Sequence, residues 1–429
     1  MRYIGTLGRK QWNAFFNINQ PNFLYNGLKE AFDAARAGDD NNPALQVLED
    51  MFQGINIVGT TAFGPVGSPG QTAGMHLRAS PAFQSNLANG NYLGLATTLN
   101  TLNYVKSATV NNTLPDIPAG VNGQVLRNSG LFPENFIVTN PQFAALNMVA
   151  AMTANNYHSM EAQVTMRPTH GVGLQMTYTW SRNTGTGGTF TNPTDRHPDY
   201  AVLGDTRTHD FRTNGSFELP FGPNKLFFAN SSGLVARLIE RWNFGWIVNI
   251  NSGAPTSITA QSMLYANGTP DVVGPINLKN VGVQWVDGAT TPTANYFGAG
   301  TLRSDDDPQC ASVTTAQNLN TLCTLNAVYD AKTGQILLQN PLPGTRGTLG
   351  QRAVQAPGRW RFDANMRKQV AISESKSLEF RFDASNVFNH PEPANPVLSI
   401  NDNNFGLITG AAAKSTQHRQ FQAQLRLNF

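Results

Sequence analysis

Residues 421–429, FQAQLRLNF, decide the reading of the whole chain. Side chains alternate across an extended strand, so Phe421, Ala423, Leu425, Leu427 and Phe429 share one face and Gln422, Gln424, Arg426 and Asn428 the other. The last residues of a soluble protein usually fray. These are instead among the most regularly patterned of the 429 residues.

Upstream, from residue 157, the same period of two recurs in stretches of about ten residues, the length a tilted barrel strand needs rather than the five or six usual in soluble sheets. HSMEAQVTMRP (158–168) sets Met160, Ala162, Val164 and Met166 against Glu161, Gln163, Thr165 and Arg167, and GLQMTYTWS (173–181) sets Leu174, Met176, Tyr178 and Trp180 against polar neighbours. DFRTNGSFEL (210–219), RWNFGWIVNIN (241–251), WRFDANMRK (360–368) and SLEFRFDAS (377–385) repeat it, with Thr213 and Gly215 weakening the apolar side of the first. Seven strands are readable, and RYIGTLG (2–8) is a candidate eighth. On the polar faces arginines interleave with Asp and Glu, as on the wall of a wet lumen.

Composition narrows the class. Only 13% of residues are charged, and Lys+Arg 30 against Asp+Glu 27 leaves net +3 with no basic run, so nucleic acid is not an expected partner. No stretch approaches the roughly 18 apolar residues of a spanning helix, and mean hydropathy is −0.29, so a membrane reading means a barrel. The start, MRYIGTLGRKQWNAFF, has no apolar h-region and no cleavage site, which predicts either an intracellular protein or a chain lacking its true beginning.

The joints alternate in length. THG (169–171) and ESK (374–376) read as three-residue hairpin turns, whereas 183–209, 256–358 and 389–417 are long and rich in Asn, Gly, Pro and Thr. All long loops then lie at one end, as in outer-membrane barrels. Residues 220–241 break the rule, and LVARLIER (234–241) is expected there as a small interfacial helix. Up-and-down order puts Phe429 at the short-turn rim, with Trp180, Trp242, Trp246 and Trp360 as candidates for the membrane-interface aromatic belt. The competing reading places these aromatics in the core of a soluble sandwich. Before residue 157 the pattern is helical over 26–38 and 41–52, which predicts short helices inside a long external loop spanning 10–154. Cys310 and Cys323, in a polar stretch, suit a loop disulfide in an oxidising compartment, with two unpaired thiols as the alternative.

No catalytic or cofactor-binding constellation emerges. The seven histidines (His76, His158, His170, His197, His209, His390, His418) are scattered, with no HExxH. SDDDP (304–308) lacks the spacing of a calcium loop, NTGTGGT (183–189) lacks the lysine of a phosphate cradle, and GxSxG is absent. Asp363 and Asp383 lie beside Arg361, Arg367 and Arg381. A three-residue turn at 374–376 would set Arg367 opposite Asp383 as a lumen ion pair, a structural rather than catalytic role.

RYIGTLGRKQW, NINQPNFLYNGLKEAF, NYHSMEAQVTMRPTHGVGLQMTYTWSRN, FELPFGPNK, RWNFGWIVNINSGAP, RFDANMRKQVAISESKSLEFRFDASNVFNHPEPANP and the closing NNFGLITGAAAKSTQHRQFQAQLRLNF occur here in that order. With these stretches the chain resembles the C-terminal part of the β-barrel of TonB-dependent outer-membrane receptors of the Oar-like group. The resemblance implies an all-β fold: about eight antiparallel transmembrane strands of a barrel of roughly 22 around a plug. The matching part is roughly the last third; the signal peptide, regulatory-like domain, TonB box and plug are not recognisable in the 429 residues. It further implies the outer membrane of a Gram-negative bacterium, and as partners its lipid, the remaining barrel and plug, and an unidentified bulky ligand. The TonB system would act only through the plug. Phe429 would be the terminal signal for the barrel-assembly machinery. A complete eight-stranded pore or adhesin, and an outer-membrane hydrolase, are the alternatives.

Overall fold

The computed structural model of the chain describes residues 1–101, 123–143, 145–169, 171–279, 281–373, 375–410 and 418–429. His170 of the THG turn and Glu374 of the ESK turn lie outside the described residues.

Eight long strands carry the main sheet: β1 (Arg2–Asn17), β2 (Asn147–Thr169), β3 (Val172–Thr186), β4 (His209–Glu218), β5 (Trp242–Asn251), β6 (Arg359–Ala371), β7 (Ser377–Ser385) and β8 (Gln420–Asn428). Each pairs antiparallel with the next in chain order, and a short strand, Tyr200–Val202, pairs with the end of β3. Among the described residues no ladder joins β1 to β8, so the sheet is open along two edges.

The period of two becomes two chemically distinct faces because the registers keep it in phase from strand to strand. One row on the apolar face runs Leu425, Phe380, Lys368, Trp242, and the next runs Ala423, Phe382, Met366, Phe244, Phe217. Phe380, Phe382, Leu425 and Leu427 are 40, 37, 68 and 53% exposed, so no second protein layer covers them. That excludes a sandwich core and leaves hydrocarbon as the medium such a face requires. Gly215, which weakened its strand's pattern, has a packing reason: a Cβ there would stand 2.5 Å from the Trp246 indole, which lies across the glycine from the neighbouring strand.

Two sequence expectations change. The joint between β1 and β2 spans residues 18–146, where the sequence reading set an external loop over 10–154, because β1 and β2 continue well past the period-two signal. Three register shifts along their ladder, around Gly8, Gln11, Trp12, Asn13 and Phe16, break the alternation while the pairing continues. The β6–β7 connection is not the expected three-residue turn either: the Ile372 and Ser373 N–H groups both donate to the Lys376 carbonyl, at 2.8 and 3.1 Å, as in a bulge. Ala371 pairs with Ser377, which moves the register by two and sets Arg367 opposite Arg381, and Asp383 opposite Asn365. A shift of two leaves every face unchanged but alters every partner. Arg367 therefore approaches Glu379 at 3.9 Å, while Asp383 takes Arg381 at 2.9 Å.

Above the long-loop end sits a helical cap, of which the sequence pattern showed only the beginning. Helices α1 (Leu28–Ala37), α2 (Gln46–Phe52), α3 (Ala73–Ala79), α4 (Gln84–Ala88), α5 (Tyr92–Thr101) and α6 (Gln124–Ser129) surround one buried core containing Phe32, Leu48, Phe52, Leu77, Phe83 and Tyr92. α1 ends on Gly38 at φ 77°, whose N–H bonds back to Ala34 and Ala35, and α3 starts on Thr72, whose hydroxyl accepts the Met75 N–H at 3.2 Å.

The same core takes in Val313 and Leu319 from the β5–β6 loop. Cys310 and Cys323 are disulfide-bonded with Cα atoms 5.6 Å apart, closing the segment that presents them. A loop of this size is worth about 3 kcal/mol against the unfolded chain. Cys310→Ser with Cys323→Ser is accordingly expected to raise amide exchange at 313–325 without altering the wall strands. Unchanged exchange there would show that the core contacts alone hold the segment.

Candidate functional site

The polar face of the sheet and the groove at its capped end form the candidate site. Along it the charges pair within strands, two residues apart on one face: Asp210 with Arg212 at 2.8 Å, Arg361 with Asp363 at 2.8 Å, and Arg381 with Asp383. These partly exposed pairs are worth about 0–1 kcal/mol each and serve to keep a wet face neutral overall. Arg359 makes no ion pair among the described residues; in register it stands beside Asn251, and Asn251 beside Asp210.

Two concavities open here. One of about 680 Å³ is lined by Tyr157, Gln175, Thr177, Asp205, Arg207 and Arg212, among others. A neighbour of about 380 Å³ is lined by Asn249, Asn251, Arg359, Arg361 and Glu392 and shares Arg212. Guanidinium, carboxylate, amide and hydroxyl groups converge on both, and the smaller is walled mainly by polar groups, so the surface can hold hydrated or polyhydroxylated molecules.

The four tryptophans occupy different levels of the apolar face. Trp180 pairs in register with His209 and Met160 toward the capped end, and Trp360 stacks on His390 at 4.1 Å at the same end. Trp242 begins β5 at the opposite rim, where its indole N–H donates to the Leu238 carbonyl at 2.9 Å. Trp246 lies four residues further into the strand, about 13 Å by the rise of a strand. Phe429 follows the last paired residue, Asn428, and is 91% exposed.

In the 220–241 joint, helix α7 (Gly233–Ile239) leaves Leu234 and Leu238 79 and 67% exposed. The Lys368 ammonium, on the apolar face, donates to the Glu240 carbonyl and lies 5.7 Å from the Trp242 ring centre. The helix thus rests against the apolar side of the sheet.

The remaining motifs are structural. In SDDDP, Asp307 is buried and accepts from Gln309 N at 2.9 Å and from Asn340 N and Nδ2 at 2.8 and 3.0 Å. No group of three His, Cys, Asp or Glu side chains able to hold a metal occurs among the described residues. His158 and His209 are hydrogen-bonded to Tyr3 and Tyr178 at 2.6 and 2.8 Å. His76 is fully buried in the cap, with Nδ1 2.6 Å from the Thr60 hydroxyl and Nε2 without a partner.

Burial pushes the His76 imidazole below its ordinary 6.5. The folded cap then favours the neutral ring, while the unfolded chain binds a proton as pH falls through 6.5. The His76 contribution is complete above that pH and diminishes below it. Cap melting is expected to fall more steeply between about pH 6.5 and 5 in the native protein than in His76→Phe; identical slopes would show that His76 does not titrate with unfolding. Glu49, raised by burial while accepting the Ala73 N–H at 2.6 Å, acts in the opposite direction at lower pH, upward from its ordinary 4.5.

Sequence reasoning missed the cap core, the docking of 310–323 into it and the buried Arg78 that links them. The Thr72 cap ahead of AGMHLRA and the Asn42 cap ahead of Pro43 were the available signals, too short to separate from loop. A family model described as an outer membrane beta barrel domain matches residues 1–422. No curated protein and no solved structure matches the chain. With an exposed apolar face, a charged opposite face and long loops gathered at one end except for the 220–241 joint, the chain belongs to the family of outer membrane beta barrel domains, which points to the outer membrane of a Gram-negative bacterium.

Proposed function

We propose that the chain forms wall and external cap of a TonB-dependent receptor that takes up a bulky ligand by energy-coupled transport. The observation that carries this reading is the pair of open edges on β1 and β8 in a sheet whose apolar face needs lipid. Each unpaired backbone group in hydrocarbon costs several kcal/mol, so further strands must complete the wall. A barrel closed at eight strands would have an interior just filled by side chains. The inner face instead carries Arg212, Arg359, Arg361, Arg367 and Arg381 beside a groove of about 680 Å³, which suits a wide barrel. The order and spacing of the receptor-like stretches support the same family, and the cap supplies the ligand-contacting surface.

An antibody against residues 18–146 tests it. It should detect, in outer membranes, a species well above 46.5 kDa whose ligand accumulation ceases when the proton-motive force is collapsed. A 46.5 kDa species that inserts and conducts by itself would establish a small pore instead. Phe429 serves as the assembly signal in this reading, so Phe429→Ala is expected to reduce outer-membrane insertion severalfold, and undiminished insertion would remove that role.

A further inference from the structure

Arginines on the two faces of the sheet differ in their pairing. Three on the inner face have carboxylates two residues away, whereas Arg9, Arg182 and Arg196, exposed toward the apolar side at the capped end, make no ion pair among the described residues. Arg182 follows Trp180 by two residues on the apolar face and pairs in register with His158. It stands roughly 7 Å above the indole level by the rise of a strand, where hydrocarbon gives way to headgroups.

One step higher, the Arg9 guanidinium donates to Asn156 Oδ1 at 2.9 Å, Asn156 Nδ2 donates to the Tyr200 hydroxyl at 2.7 Å, and that hydroxyl lies 2.9 Å from Thr184 Oγ1. Higher again, Arg196 donates to the Met152 carbonyl at 2.9 Å and lies over the Phe190 ring at 5.8 Å. It borders a cavity of about 690 Å³ lined also by Ala154, Thr186, Asp195, His197 and Tyr200. Asp195, the one carboxylate lining this cavity, accepts the His197 N–H at 3.0 Å.

From the His158 row to Met152 is six residues, roughly 20 Å along the strand. A column of three cations of that height, none in an ion pair among the described residues and continuous with the lipid-facing band, exceeds the reach of a single phosphate. We propose that Arg182, Arg9 and Arg196 form a binding column for the extended, multiply phosphorylated headgroup of an outer-leaflet glycolipid. The proposal rests on the lipid-facing reading of the sheet. It assigns the outer rim of β1–β3 a lipid-recognition role that the uptake reading does not require.

The test uses the full native receptor reconstituted in nanodiscs, titrated with bis-phosphorylated glycolipid and with the same lipid after phosphatase treatment. Native protein should prefer the phosphorylated form. Arg182→Gln, Arg9→Gln and Arg196→Gln should each lose about fivefold of that preference, and the triple variant about a hundredfold. Lys225→Gln with Arg237→Gln, at the opposite rim, should change nothing. Equal binding of the two lipids by inserted protein overturns the column alone, and equally tight binding of a phospholipid with one phosphate overturns the extended headgroup. Failure of the protein to contact lipid at Leu425, read by depth-dependent quenching of a probe placed there, overturns the lipid-facing reading with it.

Discussion

Leu425→Arg is expected to destabilise the inserted barrel by about 2–4 kcal/mol, the cost of a cation on the lipid face near mid-bilayer. Leu425 is 68% exposed, halfway along β8, and faces Phe380 across the ladder. The guanidinium there has hydrocarbon on one side and a phenyl ring on the other, and no carboxylate shares its row. Gln422→Arg, three residues away on the other face and opposite Asp383, is expected to change stability by less than about 0.5 kcal/mol. Urea unfolding in lipid vesicles measures both. Equal effects would mean that the two faces meet the same medium, and the membrane orientation would fall.

Asp40→Ala is expected to weaken the helical cap by about 3 kcal/mol while leaving the wall intact. Arg78 is fully buried and donates to Asp40 Oδ1 and Oδ2 at 2.9 and 2.6 Å, to the Ala35 carbonyl at 3.1 Å and to Gln317 at 2.6 Å. One guanidinium thereby ties α3 to the end of α1 and to the disulfide-closed segment of the β5–β6 loop. Without Asp40 its charge stays buried with only neutral acceptors. The figure is at the low end for broken buried pairs because the Asp40 side chain is 31% exposed. Hydrogen exchange should accelerate across 28–37 and 73–79 and remain unchanged in β6–β8. Adding Arg78→Met, which removes the stranded charge and keeps an apolar chain in the core, should restore most of the protection. No recovery would assign the loss to Thr72, whose hydroxyl also donates to Asp40 at 3.1 Å.

The wall was legible because lipid and lumen impose opposite chemistry on alternate residues, and that alternation survives in the letters of FQAQLRLNF and SLEFRFDAS. Where β1 and β2 bulge, the letters lose the period and the strand boundary was misplaced. The Arg367–Asp383 pairing failed for a narrower reason. Face assignment tolerates a register slip of two, whereas partner assignment does not, and the backbone path of the turn sets the slip.

Read alone, the sequence determined the strand identities, the two faces and the absence of a spanning helix, since each follows from local periodicity and composition. The cap core, the docking of 310–323 against α3 and α4, the burial of Arg78 and His76, and the alignment of Arg9, Arg182 and Arg196 at the capped end were decided by tertiary structure. They join residues as much as 239 positions apart, as Arg78 and Gln317 are, and no local pattern encodes which distant surface will exclude water from a side chain.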